Sequence, residues 1–355
     1  MNHISIDKLY NPQYDLLSVS DKKALLNTLA EIYNLELICF KEFKAFKKST
    51  YTAVYRSHDG IDFVFVPGDT VTLGLNFKNK PLQDIFNDEN LAELVYPFVE
   101  GYEEEILSEE DVQRKISETL EDEEVLSNIE TYFTHNFTQE GEFVIPPLLV
   151  QKEYSETCWI PISDADLRQN KEWQQMIENA EKAGLSETMV HNTVCLYKID
   201  DRYWCGKLYG ETTFKKLLQD IKIHGYSLPT LREWEYLASK GCRTIFPWGN
   251  NIDFSMNLKH MEWMDNDGAY TLEKENFFGL IIGDDPYCRE IVYDDEGFSY
   301  KGGDGGRNIC GGLGVVWSYL PVSPYFQDSE MVVGDYINGG YDFFRRVIRI
   351  NDNMK

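Results

Sequence analysis

The stretch from Tyr226 to Ile252, YSLPTLREWEYLASKGCRTIFPWGNNI, constrains this chain more than any other. Pro229 ends an extended run, Thr230 stands at an N-cap position, and Glu233 completes the spacing of a capping box, so a helix begins here. Trp234, Tyr236 and Leu237 give that helix a heavy packing surface. The last 130 residues around and beyond it are rich in Gly, Trp, Tyr and Asp with little periodicity, yet too aromatic to be disordered. Irregular backbone of this kind must satisfy its own amide groups from within. A loop-rich fold held by aromatic packing and tight glycine turns follows.

The remainder of the chain is more regular. Apolar residues at Leu25, Leu26, Leu29, Ile32 and Tyr33 behind a Ser-Asp start predict an amphipathic helix over 20–34. From Leu35 to Phe77 short β-branched and aromatic runs separated by turn signals read as a β-meander. Residues 78–141 are dense in Glu and Asp at helical spacing and read as a helical insertion with a solvated acidic face. The run 142–163 reads as a buried strand, 164–185 as helix, VCLYKI and RYWCGKLYG as a strand pair, and TFKKLLQDIKIHG as another helix. The division that results is an N-terminal helix and strands, residues 1–59, packed on a main domain, 60–355, which carries the insertion 78–141.

Charge and cysteine usage narrow the partners. Sixty acidic against 34 basic residues give a net charge of -26, which repels phosphate backbones and anionic lipid, so neither nucleic acid nor a membrane is expected. The amino terminus lacks a basic start followed by an apolar run, and no eighteen-residue apolar stretch occurs, so the expectation is a soluble cytoplasmic protein. The seven cysteines show no CxxC spacing and fit the reduced thiols of a bacterial-type cytoplasm better than a disulfide framework or zinc knuckle.

The 226–252 block resembles the most recognisable element of the formylglycine-generating enzyme (sulfatase-modifying factor) family. Further pieces stand in that family's order: FVFVPGDTVTLG at 63–74, IPPLLVQKEYSET at 145–157, NFFGLIIGDDPYCREIV at 276–292, then YKGGDGG and the closing FFRRVIRI. Together they cover roughly residues 60–350. The resemblance implies an α+β fold of C-type-lectin-like, formylglycine-generating-enzyme-like architecture, loop-rich, with an N-terminal helix-plus-strand extension and a helical acidic insertion.

Active members of that family oxidise a cysteine in sulfatases with oxygen and a copper ion held by two thiolates, which suit soft copper. If Lys301-Gly302-Gly303-Asp304 stands for the family's RGGS element, the two cysteine positions fall at Arg307 and Gly312, and neither is cysteine. Copper is therefore not expected. Cys310, Arg307 and Asp304 remain as candidates for any surviving catalysis. The glycines around them read as close backbone packing rather than a phosphate cradle, because no GxxxxGK[ST] pattern is present. The family's structural calcium, an ion of hard oxygen ligands, maps by resemblance to Asn257 and Glu290, with Asp284 and Asp285 adding oxygens.

Two functions stay open. One is a non-catalytic binding module that recognises a protein or small ligand through Trp248, Trp263, Trp317 and Tyr319, with Tyr325 beside them. The other is a divergent oxidoreductase of the same family acting on a protein or thiol substrate. A basic protein paired with the acidic residues 100–135 is a further candidate partner.

Overall fold

The structure, a computed structural model, describes residues 5–78, 80–99, 108–200, 203–261, 268–329, 331, 333–334 and 336–351. It is a mixed α+β protein built around several small sheets. The central sheet has five antiparallel strands in the order Glu36–Ala45, Lys48–Arg56, Asp62–Val66, Leu148–Gln151, Val347–Arg349. The meander expected over 35–77 holds for its first three strands, while its last run, Asp69–Leu73, leaves to pair with Gly141–Ile145; the third strand is joined instead by a mid-chain strand that itself pairs with the closing one. Phe63, Val64, Phe65 and Val66 are all buried, because both faces of this sheet are covered.

On one face lies the N-terminal helix Val19–Tyr33, whose Leu26, Leu29 and Ala30 pack with Tyr55, Phe63 and Phe65. Ser18, two residues ahead of the predicted start, is the N-cap and accepts from the Asp21 amide; Asn34 ends the helix in the left-handed region. On the other face lies the main core, which contains Val64, Val66, Tyr236, Leu237, Phe277, Phe278, Trp317 and Tyr319.

The insertion carries the helices Asp88–Val95, Glu109–Leu120 and Glu123–Asn136. Its apolar side is part of this main core through Leu91, Leu94, Ile116, Ile129 and Phe133, so the acidic face is the outer side of a packed element. The expected strand over 142–163 is divided into Gly141–Ile145, Leu148–Gln151, Ser155–Glu156 and Trp159–Pro161, in four different sheets. Pro146 and Pro147 cannot donate ladder hydrogen bonds, and the chain changes sheet at them. The helical stretch after it is likewise two helices, Asp164–Gln169 and Lys171–Lys182, covering a peripheral sheet ordered Trp159–Pro161, Tyr203–Tyr209, Val194–Asp200, Glu187–Val190. A last sheet, Gly297–Lys301, Arg289–Asp294, Asp342–Phe344, Ser155–Glu156, frames the site described next. No helix among the described residues is long and apolar enough to cross a membrane.

Candidate functional site

The helix Leu231–Ser239 anchors the site. Its capping box is complete: the Glu233 amide donates to Thr230 Oγ1 at 3.1 Å and the Thr230 amide to Glu233 Oε2 at 2.8 Å. Glu233 also takes two hydrogen bonds of 2.6 Å from Arg349, tying the helix start to the closing strand. Glu235, fully buried, receives the Thr138 hydroxyl, Arg232 at 2.8 Å and the ammonium of Lys301 at 3.3 Å. Lys301 is itself enclosed, donates to the Phe326 carbonyl at 2.7 Å, and lies over the Trp234 ring. Burial pushes its pKa down to about 8 against the opposing pull of Glu235.

After Lys301 the chain turns through glycines that touch their surroundings directly. A methyl group on Gly302, whose φ is +86°, would stand 2.9 Å from Trp234; one on Gly306 would collide with the Tyr287 ring at 2.2 Å. Close packing is what these glycines serve. Asp304 caps the short helix Arg307–Cys310, accepting from the amides of Arg307 at 2.8 Å and Asn308 at 3.0 Å, and burial raises its pKa. Arg307 points away to Asp328 at 3.0 Å. Cys310 is exposed and meets the Tyr287 hydroxyl at 3.2 Å, a bond that pushes the tyrosine up to about 12. The side chains of the three candidates for catalysis are thus directed to different groups: Asp304 to the amides of Arg307 and Asn308, Arg307 to Asp328, and Cys310 to Tyr287.

Of the proposed calcium ligands, Glu290 and Asp285 have protein partners of their own. Both oxygens of Glu290 are held by buried Arg345, at 2.9 and 2.7 Å, and the remaining donors of that guanidinium reach the carbonyls of Gln151, Lys152 and Ile281. Asp285 accepts from His260 at 3.0 Å and from the Tyr287 amide at 2.9 Å. The ammonium of Lys259 stands 3.4 Å from Asp285 and 3.9 Å from Asp284. Asn257 donates to the Gly268 carbonyl at 3.0 Å. The donor set is thus divided: the Glu290 carboxylate belongs to an arginine and a lysine supplies positive charge beside Asp284 and Asp285, while Asp284 Oδ1 accepts no hydrogen bond. Among the described residues no group of three or more His, Cys, Asp or Glu side chains could hold a metal ion. Asp284 is left in an awkward state, with Oδ1 buried and unpartnered and its pKa pushed up to about 6 by burial.

The aromatic residues expected on the surface divide. Trp317 and Tyr319, expected on a recognition surface, are core residues instead: the indole donates to the Leu94 carbonyl and the hydroxyl to the Lys259 carbonyl. Tyr325 is likewise buried and bonds the Cys242 carbonyl. Trp248 is half-buried, stacked on Phe246 at 4.7 Å, and lines a small pocket of about 240 Å³ with Phe46 and Pro247. Trp263 lies outside the described residues.

A larger cleft, about 400 Å³, opens between the hairpin Arg289–Asp294/Gly297–Lys301 and the segment 326–329 with Met331. Phe298, Tyr300 and Phe326 line it with Glu296, Asp328 and Met331. None of these was singled out from the sequence. The signal that was available is local: DDEG between two alternating runs marks a tight hairpin, and a hairpin presents alternate side chains to one side. What the sequence could not supply is the opposite wall, which arrives from some thirty residues further on.

Neither a protein-family model nor a curated protein sequence matches this chain.

Proposed function

We propose that this protein is a binding module on a formylglycine-generating-enzyme-like, C-type-lectin-like scaffold, and that the cleft beside Lys301 is where it binds a protein or small ligand. The observation that carries the reading is the pairing of a roughly 400 Å³ concavity with the buried Lys301–Glu235 ion pair at its wall, the strand ends and helix start being tied further by Arg345–Glu290 and Arg349–Glu233. Such pairs fix loop positions, and a rigid platform loses little conformational freedom when a ligand docks. Arg307 and Gly312, at about the positions where the resemblance would place the copper cysteines, argue for binding rather than oxidation. Ser299→Trp tests the site: the residue is half-buried on the cleft lining, and a ring there obstructs the cavity. Ligands found by a thermal-shift screen of peptides and saccharides should lose at least about tenfold in affinity, while Trp248→Ala leaves them unchanged. Equal binding by Ser299→Trp would rule the cleft out.

The second reading is a divergent oxidoreductase, favoured by the exposed Cys310 beside the Tyr287 hydroxyl. Stoichiometric copper or iron in purified protein, lost in Cys310→Ala together with thiol-dependent oxygen uptake, would put this reading first. A thiol whose removal changes neither metal content nor oxygen uptake would discard it.

A further inference from the structure

Arginines of the chain itself already sit at the edge of the cleft, and the way they are held says what its interior suits. The Arg289 guanidinium lies 4.4 Å from the centroid of the Tyr300 ring, donates from Nε to Asp342 Oδ1 at 2.5 Å, and directs Nη1 to Met331 Sδ at 3.5 Å. On the facing wall Arg307 donates from Nη1 to Asp328 Oδ2 at 3.0 Å. Tyr300, Met331 and Asp328 all belong to the lining. An aromatic face, a polarisable sulfur and a carboxylate form a set that attracts a guanidinium or ammonium group. Phe298 and Phe326 extend the aromatic lining, and Glu296 on the hairpin turn adds a second carboxylate. Lys301, though it also lines the cavity, directs its ammonium to Glu235 and the Phe326 carbonyl. The net charge of -26 adds a field that draws cations toward the protein.

We propose that the cleft binds a cationic side chain, an arginine or lysine presented by a basic protein segment, with Asp328 and Glu296 as counter-charges and Phe298, Tyr300 and Phe326 as walls. The inference rests on the cleft being the binding site and gives that site its ligand class. Arg307 is then an internal competitor: it neutralises Asp328 in the free protein, and the incoming cation takes its place.

Calorimetric titration of the full chain with an acetylated triarginine amide decides the matter, with triglutamate and a neutral oligosaccharide as counter-probes. Triarginine should bind one to one, about tenfold more weakly to Asp328→Asn and to Glu296→Gln, and several-fold more tightly to Arg307→Ala. Glu118→Gln and Glu123→Gln, on the outer side of the acidic helices, should leave the affinity unchanged. Glu296 sits in an exposed turn, so its variant keeps the test open even if Asp328→Asn fails to fold. Equal losses from the Glu118 and Glu123 variants would reduce the binding to general charge attraction and overturn the proposal. Preferential binding of the oligosaccharide, blocked by Ser299→Trp, would overturn the ligand class and leave the cleft standing. Insensitivity of every probe to Ser299→Trp would remove both.

Discussion

Three buried charges carry most of what can be tested residue by residue. Asp284 has its folded pKa raised to about 6 from the ordinary 3.8, so the folded state holds a proton that the unfolded chain gives up. Its contribution is therefore present at low pH and is lost as pH rises between about 4 and 6. Asp284→Asn should be more stable than the parent at pH 7, on the order of 1 kcal/mol, and should flatten that part of the curve. Urea titrations at pH 4 and 7 check this; equal differences at both would count against it. Lys301 is the mirror case. Its folded pKa, about 8, lies below the ordinary 10.5, so the cost of burying its charge is relieved as pH rises through that interval. The parent should gain stability relative to Lys301→Met between pH 8 and 10. Arg345, with a carboxylate and three carbonyls depending on it, is the most demanding of the three. Arg345→Met should cost roughly 3–5 kcal/mol, because it leaves Glu290 charged and alone in the interior.

Among the elements, the helix Leu231–Ser239 was written most clearly in the sequence. The residues that form its capping box are local, and local hydrogen bonds do not wait for tertiary structure to define them. Thr230→Ala should cost about 1 kcal/mol in denaturant unfolding, whereas Thr230→Ser should be close to neutral. The helix also shows where local reading stops. Lys48, from a strand hairpin far earlier in the chain, places its ammonium on the carbonyls of Ser239 and Lys240 at 2.7 and 2.9 Å and so completes the helix C-terminus. Nothing in the spacing of residues 226–252 announces that partner. The run 142–163 fails for a related reason: its apolar residues signal burial, while the sheet to which each piece belongs depends on strands distant in sequence.

At the scale of the molecule, the strand Val347–Arg349 pairs with Leu148–Gln151, beside Asp62–Val66, so the carboxyl-terminal residues complete the central sheet. Deleting residues 345–355 removes that strand together with Arg345 and Arg349, and the cooperative unfolding transition seen by circular dichroism should disappear. The charge of -26 acts over the same scale. Self-repulsion opposes the compact state, so raising sodium chloride from about 10 to 150 mM should raise the melting temperature by several degrees.

By itself the sequence determined the α+β composition, the N-terminal helix, the meander, the acidic helices and the capped aromatic helix, because periodicity and capping are properties of neighbouring residues. It also marked the glycines after Lys301 as packing positions. Tertiary structure alone decided that Trp317 and Tyr319 belong to the core, that Glu290 serves Arg345, and that the cleft has Phe298 and Tyr300 on one wall and Phe326 on the other. A charge or a ring has no fixed role until its partner is known, and here the partners lie tens to hundreds of residues away.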